Sequence, residues 1–175
     1  MIFVYEPFVV RSVREDDVEL FAAMLREAAA WLKQQGMEMW TPEQLAAEQL
    51  LKQNAVHEMF IGYANGEPAA AMILQETDRM IWPEAANDSD SLYLHKLCVR
   101  RVWAKTGCST AMIEWAKGEV RRRNKTFLRL DCAADRPKLC AFYERHGFRK
   151  VREKLILQKY PTALFEWVRD GGGNV

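Results

Sequence analysis

Hydrophobic residues near the start of the chain recur first with the spacing of a strand and then with that of a helix. Residues 8–13, FVVRSV, predict a strand. The next segment predicts a helix that is capped by Asp16 or Asp17, runs to about residue 35 and stops at Gly36. The apolar face of this helix consists of Val18, Phe21, Leu25, Ala28 and Leu32.

The next part of the chain predicts a second helix, a hairpin and a loop. Residues 41–44, TPEQ, predict a helix start, because Thr is at the N-cap, Pro at the first helical position and Gln where a capping box requires it. Residues 59–74 predict a hairpin that turns at Asn65-Gly66. The polar segment 75–90, rich in Asp and Asn, predicts a loop.

The second half of the chain is organised around one glycine. Residues 92–99, LYLHKLCV, predict a strand, and a short basic turn leads from it to Gly107. A helical pattern begins there, with apolar residues at Cys108, Ala111, Met112, Trp115, Ala116 and Val120. A helix N-terminus directs several backbone N–H groups and the positive end of the helix dipole to one point, so this turn predicts a phosphate or diphosphate site. Neither the dinucleotide-binding glycine pattern nor the P-loop pattern is present.

Four further elements are predicted after this helix. Residues 125–132, KTFLRLDC, predict a strand that lies next to the previous one in the sheet. A short helix follows over residues 136–146, with Asp135 as its cap. The segment 148–169 predicts two strands joined through residues 160–162.

Length and composition predict one domain. The chain has 175 residues, of which 49% are hydrophobic, and can bury a full core. We expect residues 1–170 to form a single domain and residues 171–175, GGGNV, to be a disordered tail. No apolar run approaches ~18 residues, and the start of the chain carries Glu6 and lacks a basic region. Neither a membrane span nor a signal peptide is therefore expected.

Charge is unevenly distributed along the chain. Residues 1–60 contain five Lys or Arg and ten Asp or Glu, whereas residues 96–125 contain nine and two. The basic region surrounds the predicted phosphate site and favours capture of an anionic ligand. Arg121, Arg122 and Arg123 have a structural alternative, since cations also stabilise a helix C-terminus. Without interleaved aromatic residues or a known motif, these charges do not indicate nucleic-acid binding.

The cysteines do not follow a metal-binding or disulfide pattern. None is part of a C-x-x-C pair, and each is predicted to lie in an apolar, structured segment. The four residues are Cys98, Cys108, Cys132 and Cys140. We expect reduced core thiols in a cytoplasmic protein, with neither a metal site nor a disulfide.

The glycine turn resembles the acetyl-CoA loop of the GNAT superfamily of N-acetyltransferases. That loop follows the fourth strand and reads Gln/Arg-x-x-Gly-x-Gly/Ala. Residues 104–109, AKTGCS, match it outright at Gly107, whereas Ala104 stands where Gln or Arg is usual and Ser109 where Gly or Ala is usual.

Two more segments are similar to the same family in order and spacing. They are the strand end Leu97-x-Val99 and the phrase YERHGF at 143–148, which ends the short helix. The resemblance is sharp over residues 91–151 and covers 8–158 in outline. It implies a soluble acyltransferase of the GNAT α+β fold, with a mixed, mostly antiparallel central sheet and helices on both faces.

The resemblance also implies acetyl-CoA as co-substrate and no metal. In the family, the diphosphate lies on the loop and the pantetheine arm pairs with the end of the fourth strand. Where the family often has Asn, seven residues before its Tyr, this chain has Arg136, which takes that place as a cofactor contact. The other implied cofactor contacts are Leu97, Cys98, Val99, Ala104, Lys105, Thr106, Gly107, Cys108 and Ser109.

An amine that attacks a thioester directly needs a donor for the oxyanion, a proton acceptor and an acid for the leaving thiolate. The resemblance assigns the donor to a backbone N–H near Leu97 and the acid to Tyr143, whose alternative role is packing on an apolar helix face. His95 is the first candidate for the base, because imidazole titrates near ~6.5. Asp131, Glu38 and a relaying water are the alternatives.

The acceptor is the least defined part of the prediction. Glu38, Trp40, Trp82 and Asp131 are candidate substrate contacts, and aromatic and acidic groups favour a small-molecule or peptide amine. Antibiotic, polyamine, amino-acid, peptide N-terminal and protein lysine amines all remain open. A monomer and a homodimer both remain open, and neither a nucleic-acid nor a membrane partner is expected.

Two other hypotheses compete with acetyl transfer by direct attack. The degenerate loop favours a non-catalytic acyl-CoA-binding sensor or interaction domain of the same fold. Alternatively, Cys108 at a helix N-terminus is a nucleophile, because that position lowers a thiol pKa. Its match to an ordinary hydrophobic position of the loop favours packing instead, and no covalent enzyme intermediate is expected.

Overall fold

The structure, a computed structural model, describes residues 8–37 and 39–169, and this part of the chain contains seven strands and four α-helices. The strands are β1 (Phe8–Ser12), β2 (Met59–Ala64), β3 (Glu67–Gln75), β4 (Ser91–Val99), β5 (Phe127–Ala133), β6 (Arg149–Ile156) and β7 (Tyr160–Val168). The helices are α1 (Val18–Gln34), α2 (Ala47–Gln53), α3 (Cys108–Arg122) and α4 (Pro137–Arg145). Glu38 and the predicted tail at 171–175 lie outside the described residues. Among the described helices, none is long and apolar enough to span a membrane.

The strands form one mixed sheet in the order β1-β2-β3-β4-β5-β7-β6. β4 and β5 pair in parallel, whereas β1 with β2, β2 with β3, β5 with β7 and β6 with β7 pair antiparallel. The predicted α+β class, the mostly antiparallel sheet and the pairing of β4 with β5 are therefore confirmed.

The chain divides into two compact units. The first contains the described residues of 1–74 and 96–112, and the second those of 75–95 and 113–175. The first unit has an apolar core to which α1, α2, β2, β3 and the end of β4 contribute. Of the predicted face of α1, Val18, Phe21 and Leu25 lie in this core and Ala28 packs against it, whereas Leu32 is only partly buried. Phe21 and Leu25 are fully buried.

The two ends of α1 meet their predictions differently. Asp17 is the N-cap residue, as predicted, but its side chain makes no capping bond. Its φ of −102° and ψ of 2° depart from the extended conformation in which a cap carboxylate reaches the helix N–H groups. At the other end, Gly36 has a φ of +75°. Gly36 N–H donates to Lys33 O at 3.0 Å and Met37 N–H to Leu32 O at 2.8 Å, which confirms the glycine stop.

The second helix starts later than predicted. Both capping-box bonds of segment 41–44 form, with Thr41 N donating to Gln44 Oε1 at 3.0 Å and Gln44 N to Thr41 Oγ1 at 3.2 Å. Regular helix nevertheless begins at Ala47. The intervening Leu45 is fully buried, and its carbonyl accepts a bond from Arg26 Nη1 at 3.2 Å instead of a helical one. Burial therefore decided where α2 begins.

Of the two predicted hairpins, the first turns where expected and the second does not. Asn65 and Gly66 have φ values of 52° and 82°, as a two-residue hairpin turn requires. The second hairpin turns at residues 157–159, because the ladder of β6 and β7 is already closed by the pair Ile156↔Tyr160. Pro161, read from the sequence as a turn residue, is instead the second residue of β7, near the strand end where proline is tolerated.

The α4 cap also differs from its prediction, because the N-cap residue is Arg136 and not Asp135. Pro137 occupies the first helical position, where its missing N–H costs nothing. Arg136 makes no capping bond through its side chain.

A buried arginine joins three strands of the second unit. Arg129 Nε lies 2.8 Å from Glu166 Oε2, and Nη1 lies 2.8 Å from Ser91 Oγ and 3.2 Å from Tyr93 OH. The Arg129 and Glu166 side chains are only 11% and 10% exposed. The guanidinium also lies 4.9 Å from the ring centroid of Trp82. The guanidinium of Arg129 on β5 therefore contacts β4, β7 and the loop before β4.

We expect Arg129→Met to lower the free energy of unfolding by about 3 kcal/mol, because it removes the nearest cation of the nearly buried Glu166 carboxylate and leaves it only Arg149 Nη2 at 3.9 Å. The double variant Arg129→Met/Glu166→Met should lose clearly less than the sum of the single variants. Urea unfolding of all three proteins measures this. Glu153→Gln, in the exposed pair with Lys150, is the control and should be unchanged within error. Additive losses would contradict the coupling.

Candidate active site

A small cleft opens at the N-terminus of α3. Its volume is about 210 Å³, and Gly107 has a φ of +90° at the point where the chain enters the helix. The N–H groups of the first helical turn, including those of Cys108 and Ser109, have no partner within the helix. The residues around the cleft are Val99, Arg101, Trp103, Ala104, Lys105, Gly107, Cys108 and Ser109. The residues of the predicted anion loop therefore line one cleft, which lies within the first unit.

Local contacts fix the shape of this loop. Lys105 has a φ of +60°, so two left-handed residues flank Thr106. The Thr106 side chain is buried and donates through Oγ1 to Trp103 O. A Cβ added at Gly107 would meet no protein atom within 4 Å. Thr106 thus fixes the loop from the protein interior, while the side of the loop that faces the cleft is open.

Arg101 and Trp103 line the cleft although the motif did not single them out. The Arg101 guanidinium lies 3.8 Å from the ring centroid of Trp31 on α1, and this contact positions it. Trp103 is 8% exposed. The sequence contained an indication of Arg101, because this residue belongs to the basic turn before Gly107. Its position at the cleft, however, depends on the contact with Trp31.

The end of β4 departs from regular strand geometry at Lys96, which has a φ of +53°. The departure comes directly before Leu97, at the position where the family resemblance expects a bulge. Cys98 points into the core, with Sγ 3.9 Å from Met24 O, whereas Val99 lines the cleft. Of the three predicted pantetheine contacts, Val99 is therefore the one that shares the cleft with the loop.

The predicted substrate contacts of the first unit are only partly described. Glu38 lies outside the described residues. Trp40 packs against the apolar core, and Lys96 Nζ lies 5.5 Å from its ring centroid. The structure thus brings Trp40 next to the irregular position of β4.

Tyr143 lies on the buried face of α4, 9% exposed. Its ring contacts Phe142, Phe148 and Phe165, with centroid distances of 5.2, 5.7 and 6.1 Å. Burial raises the pKa of Tyr143, and the neighbouring Cys132 and Asp131 add to this. The phenol therefore keeps its proton at neutral pH, which suits a proton donor and not a base.

His95 and Asp131 lie close together, and Asp78, which the sequence did not predict as a site residue, lies beside them. His95 Nε2 is 3.6 Å from Asp78 Oδ2. Each of Asp78, His95 and Asp131 has one side-chain nitrogen or oxygen atom that lies within 4.8 Å of the corresponding atoms of the other two. The sequence did not distinguish Asp78 from the other acidic residues of its loop. Its position beside β4 depends on how the loop folds.

Trp82 and Arg136 take positions that the sequence did not specify. Trp82 is 2% exposed and packs against Tyr93, with ring centroids 6.1 Å apart, so it supports the site from the core. Arg136 is at the N-cap of α4, in the second unit, and its charge opposes the rise in the pKa of Tyr143.

Most cations of the basic region 96–125 have structural partners. Arg122 and Arg123 both bond to Glu119, at 2.7 and 2.9 Å, and the bond from Arg122 is the largest cause that lowers the pKa of this carboxyl. Lys125 Nζ donates to Ser89 O at 2.6 Å. These bonds support a structural role for Arg122 and Arg123.

The nucleophile hypothesis for Cys108 conflicts with its surroundings. Cys108 is 1% exposed, and burial raises its pKa more than the contact with Thr106 lowers it. Burial likewise raises the pKa of both Cys98 and Cys132 to about 12. A thiol with a raised pKa carries little thiolate at neutral pH and is a poor nucleophile.

Comparison with known proteins identifies the family. Residues 23–148 match the model of the Acetyltransferase (GNAT) family. The chain belongs to that family and is an acyltransferase.

Relatives agree with this assignment. The chain is 31% identical over 146 residues to an uncharacterized N-acetyltransferase, YesJ, of Bacillus subtilis (strain 168), covering 76% of this chain and 77% of that protein. A GNAT-family acetyltransferase structure from Listeria monocytogenes aligns with a TM-score of 0.77 at 25% identity, covering 92% and 94% of the two chains. The PaiA N-acetyltransferase of Thermoplasma acidophilum, solved with coenzyme A, shares the fold with a TM-score of 0.68 at 14% identity, covering 92% and 98%.

We expect iodoacetamide at neutral pH to alkylate Cys140, the least buried thiol, at least ~10-fold faster than Cys98, Cys108 or Cys132. The raised pKa values lower the thiolate fraction of these three, so their alkylation should accelerate as the pH rises. Peptide mass spectrometry over a time course measures the four rates. Fastest labelling at Cys108 would contradict its assignment as a packing residue.

Proposed function

We propose that this protein transfers an acetyl group from acetyl-CoA to a primary amine by direct attack, without a covalent enzyme intermediate. The observation that carries the proposal is the left-handed glycine turn that opens a cleft at the N-terminus of α3, in a chain of the GNAT family. The coenzyme A complex of the PaiA relative supports the choice of donor. The raised pKa of Cys108 supports direct attack.

In this proposal, the diphosphate binds the N–H groups at the start of α3, with Lys105 and Arg101 supplying positive charge. The open space above Gly107 supports this, since a Cβ there meets no protein atom within 4 Å. Val99 and its neighbours in β4 hold the pantetheine arm. Arg136 is proposed as a further contact of the cofactor.

The chemistry needs one proton acceptor and one proton donor from this chain. His95 accepts a proton from the incoming ammonium, which frees the lone pair that attacks the thioester carbon. A backbone N–H after Lys96 stabilises the oxyanion. When the carbon–sulfur bond breaks, Tyr143 donates its phenolic proton to the thiolate. The amine nitrogen, which is cationic after the attack, loses its second proton, and this proton restores the phenol. The raised pKa of Tyr143 supports a protonated resting state.

The acceptor is proposed to be a small-molecule or peptide amine. Asp131, beside His95, supplies a negative charge that attracts an ammonium group. Trp40, whose ring is partly buried, and Trp82 keep their proposed roles as substrate contacts. Glu38 keeps its proposed role as a substrate contact.

A non-catalytic acyl-CoA sensor is the second candidate. The observation in its favour is the degenerate loop, with Ala104 and Ser109 in place of the usual residues. Isothermal titration with acetyl-CoA, combined with turnover assays on an amine panel, separates the candidates. A sensor binds acetyl-CoA and acetylates none of the amines, whereas an enzyme does both.

We expect Gly107→Val to weaken acetyl-CoA binding at least ~10-fold, since its side chain would occupy the space proposed for the diphosphate and strain a left-handed residue. Calorimetry measures the affinity, and thermal unfolding shows that the variant is folded. Gly66→Val is the matched control, because Gly66 also has a positive φ, of 82°, and open space around it, but lies in a hairpin turn. It should lose similar stability and keep its affinity. Equal affinity in both variants would remove the loop from the proposal.

We expect Tyr143→Phe to lower single-turnover acetyl transfer by ~10²-fold or more, while acetyl-CoA affinity stays nearly intact, because only the acidic proton is lost. Stability should fall by at most about 1 kcal/mol. Tyr160→Phe, at an exposed tyrosine, is the control and should match the wild type. Wild-type rates in Tyr143→Phe would assign this residue to packing alone.

A further inference from the structure

Two thiols of the second unit lie next to each other, one on β5 and one on α4. Cys132 Sγ is 3.8 Å from Cys140 Sγ, although the two residues are eight positions apart in the chain. Cys140 also donates through Sγ to Ala133 O at 3.8 Å, which holds its side chain at the end of β5. Both cysteines are free, and no step of the proposed acetyl transfer uses either of them.

The turn between β5 and α4 brings these thiols together. Arg136 N–H donates to Ala133 O at 3.3 Å, and Cys140 N–H donates to Arg136 O at 3.1 Å. The chain therefore reverses directly after β5 and returns Cys140 to Cys132. Because the two sulfur atoms are already in contact, a bond between them needs only a small shift of this turn.

The two thiols differ in exposure and in surroundings. Cys132 is 7% exposed, whereas Cys140 is only partly buried. The pKa of Lys150 is raised, first by its bond to Glu153 and further by Cys140, so its ammonium lies near the Cys140 sulfur. Partial exposure and a nearby cation are typical of cysteines that react with oxidants. Cys140 is therefore the thiol that an oxidant in solution reaches first.

Cys132 is placed for the second step of a thiol oxidation. Burial raises its pKa to about 12, and the charge of Cys140 and the contact between the two thiols add to this rise. The contribution of the charge is lost when Cys140 carries a neutral sulfenic acid. The sulfur of that sulfenic acid is an electrophile, and the Cys132 sulfur is the thiol beside it.

We propose that Cys132 and Cys140 are a site of reversible oxidation, at which a peroxide joins β5 to α4 through a disulfide. The Cys140 thiolate attacks the peroxide, the O–O bond breaks, and Cys140 becomes a sulfenic acid while hydroxide leaves and takes up a proton. The Cys132 sulfur then attacks the Cys140 sulfur. The S–O bond breaks, the S–S bond forms, and the proton of Cys132 leaves with the oxygen as water. The two thiols lose two electrons, which reduce hydrogen peroxide to two water molecules.

This modification acts on the helix that carries the proposed acid. Tyr143 follows Cys140 by three residues on α4. Burial raises the pKa of Tyr143, and Cys132 is the next largest cause, so this thiol lies close to the phenol. A disulfide that pulls the start of α4 towards β5 shifts Tyr143, and displacements of about 1 Å are enough to slow a reaction. In this respect the inference rests on the proposed function.

The site is tested first without any activity. The wild type is treated with hydrogen peroxide, its remaining thiols are blocked with iodoacetamide, and tryptic peptides are analysed by mass spectrometry. Trypsin cuts after Lys138, so the two cysteines fall in separate peptides, residues 130–138 and 139–145. We expect these peptides to become linked within one chain and to separate again with dithiothreitol. Peptides that stay unlinked, or a disulfide between two copies of the chain, would overturn the proposal.

Reciprocal variants test the order of the two steps. Cys132→Ala removes the second thiol, so peroxide should leave a sulfenic acid at Cys140 that dimedone traps. Cys140→Ala should leave Cys132 unlabelled by dimedone, because the remaining thiol is buried. Cys98→Ala is the matched control, since this buried thiol lies in the first unit, and it should form the same linked peptide as the wild type. Dimedone labelling of Cys132 in Cys140→Ala would overturn the assigned order.

Single-turnover acetyl transfer, measured after the peroxide is removed, tests the effect on Tyr143. We expect the linked wild type to react at least ~10-fold more slowly than the reduced protein and to recover with dithiothreitol. Cys140→Ala should keep its rate after peroxide. An unchanged rate in the linked wild type would overturn the effect on Tyr143. A reduced wild type that acetylates no amine, but forms the disulfide, would support the oxidation site and count against the proposed function alone.

Discussion

One buried cation, Arg129, holds together the part of the protein that carries the proposed acid and base. Its guanidinium bonds to Glu166 on β7 and to Ser91 and Tyr93 on β4, while its own backbone lies in β5. β4 and β5 share only three residue pairs, so these side-chain bonds reinforce a short parallel ladder. A buried charge is tolerated because every partner is in place, and this requirement specifies one arrangement of the three strands.

The candidate chemistry of the second unit depends on that arrangement. Arg129 and Tyr93 fix Trp82, Trp82 fixes its loop, and the loop brings Asp78 to His95. Tyr143 belongs to a different environment, an aromatic cluster that removes water and keeps the phenol protonated. The two side chains for which we propose opposite proton transfers therefore lie in different surroundings of one unit, one polar and one apolar.

In the first unit, packing keeps the left-handed turn at Gly107 open toward the cleft. Its apolar core fixes α1, and Trp31 on α1 holds Arg101 beside the cleft. The buried hydroxyl of Thr106 holds the loop from inside, so Gly107 can adopt its left-handed conformation with free space above it. The first backbone N–H groups of α3 therefore lie at the cleft, where we propose that the diphosphate binds.

The sequence by itself determined what local chemistry controls: the strands and helices, the turns at Gly36 and Asn65-Gly66, the glycine before α3 and the family that these define. It failed where burial overrode a local signal, as at the start of α2, where Leu45 enters the core, and at Pro161, where the ladder of β7 was already set. Only the tertiary structure decided that Asp78 meets His95 and that Arg101 lines the cleft. These contacts join residues far apart in the chain, so their geometry follows from how the strands and the core pack and not from any local pattern.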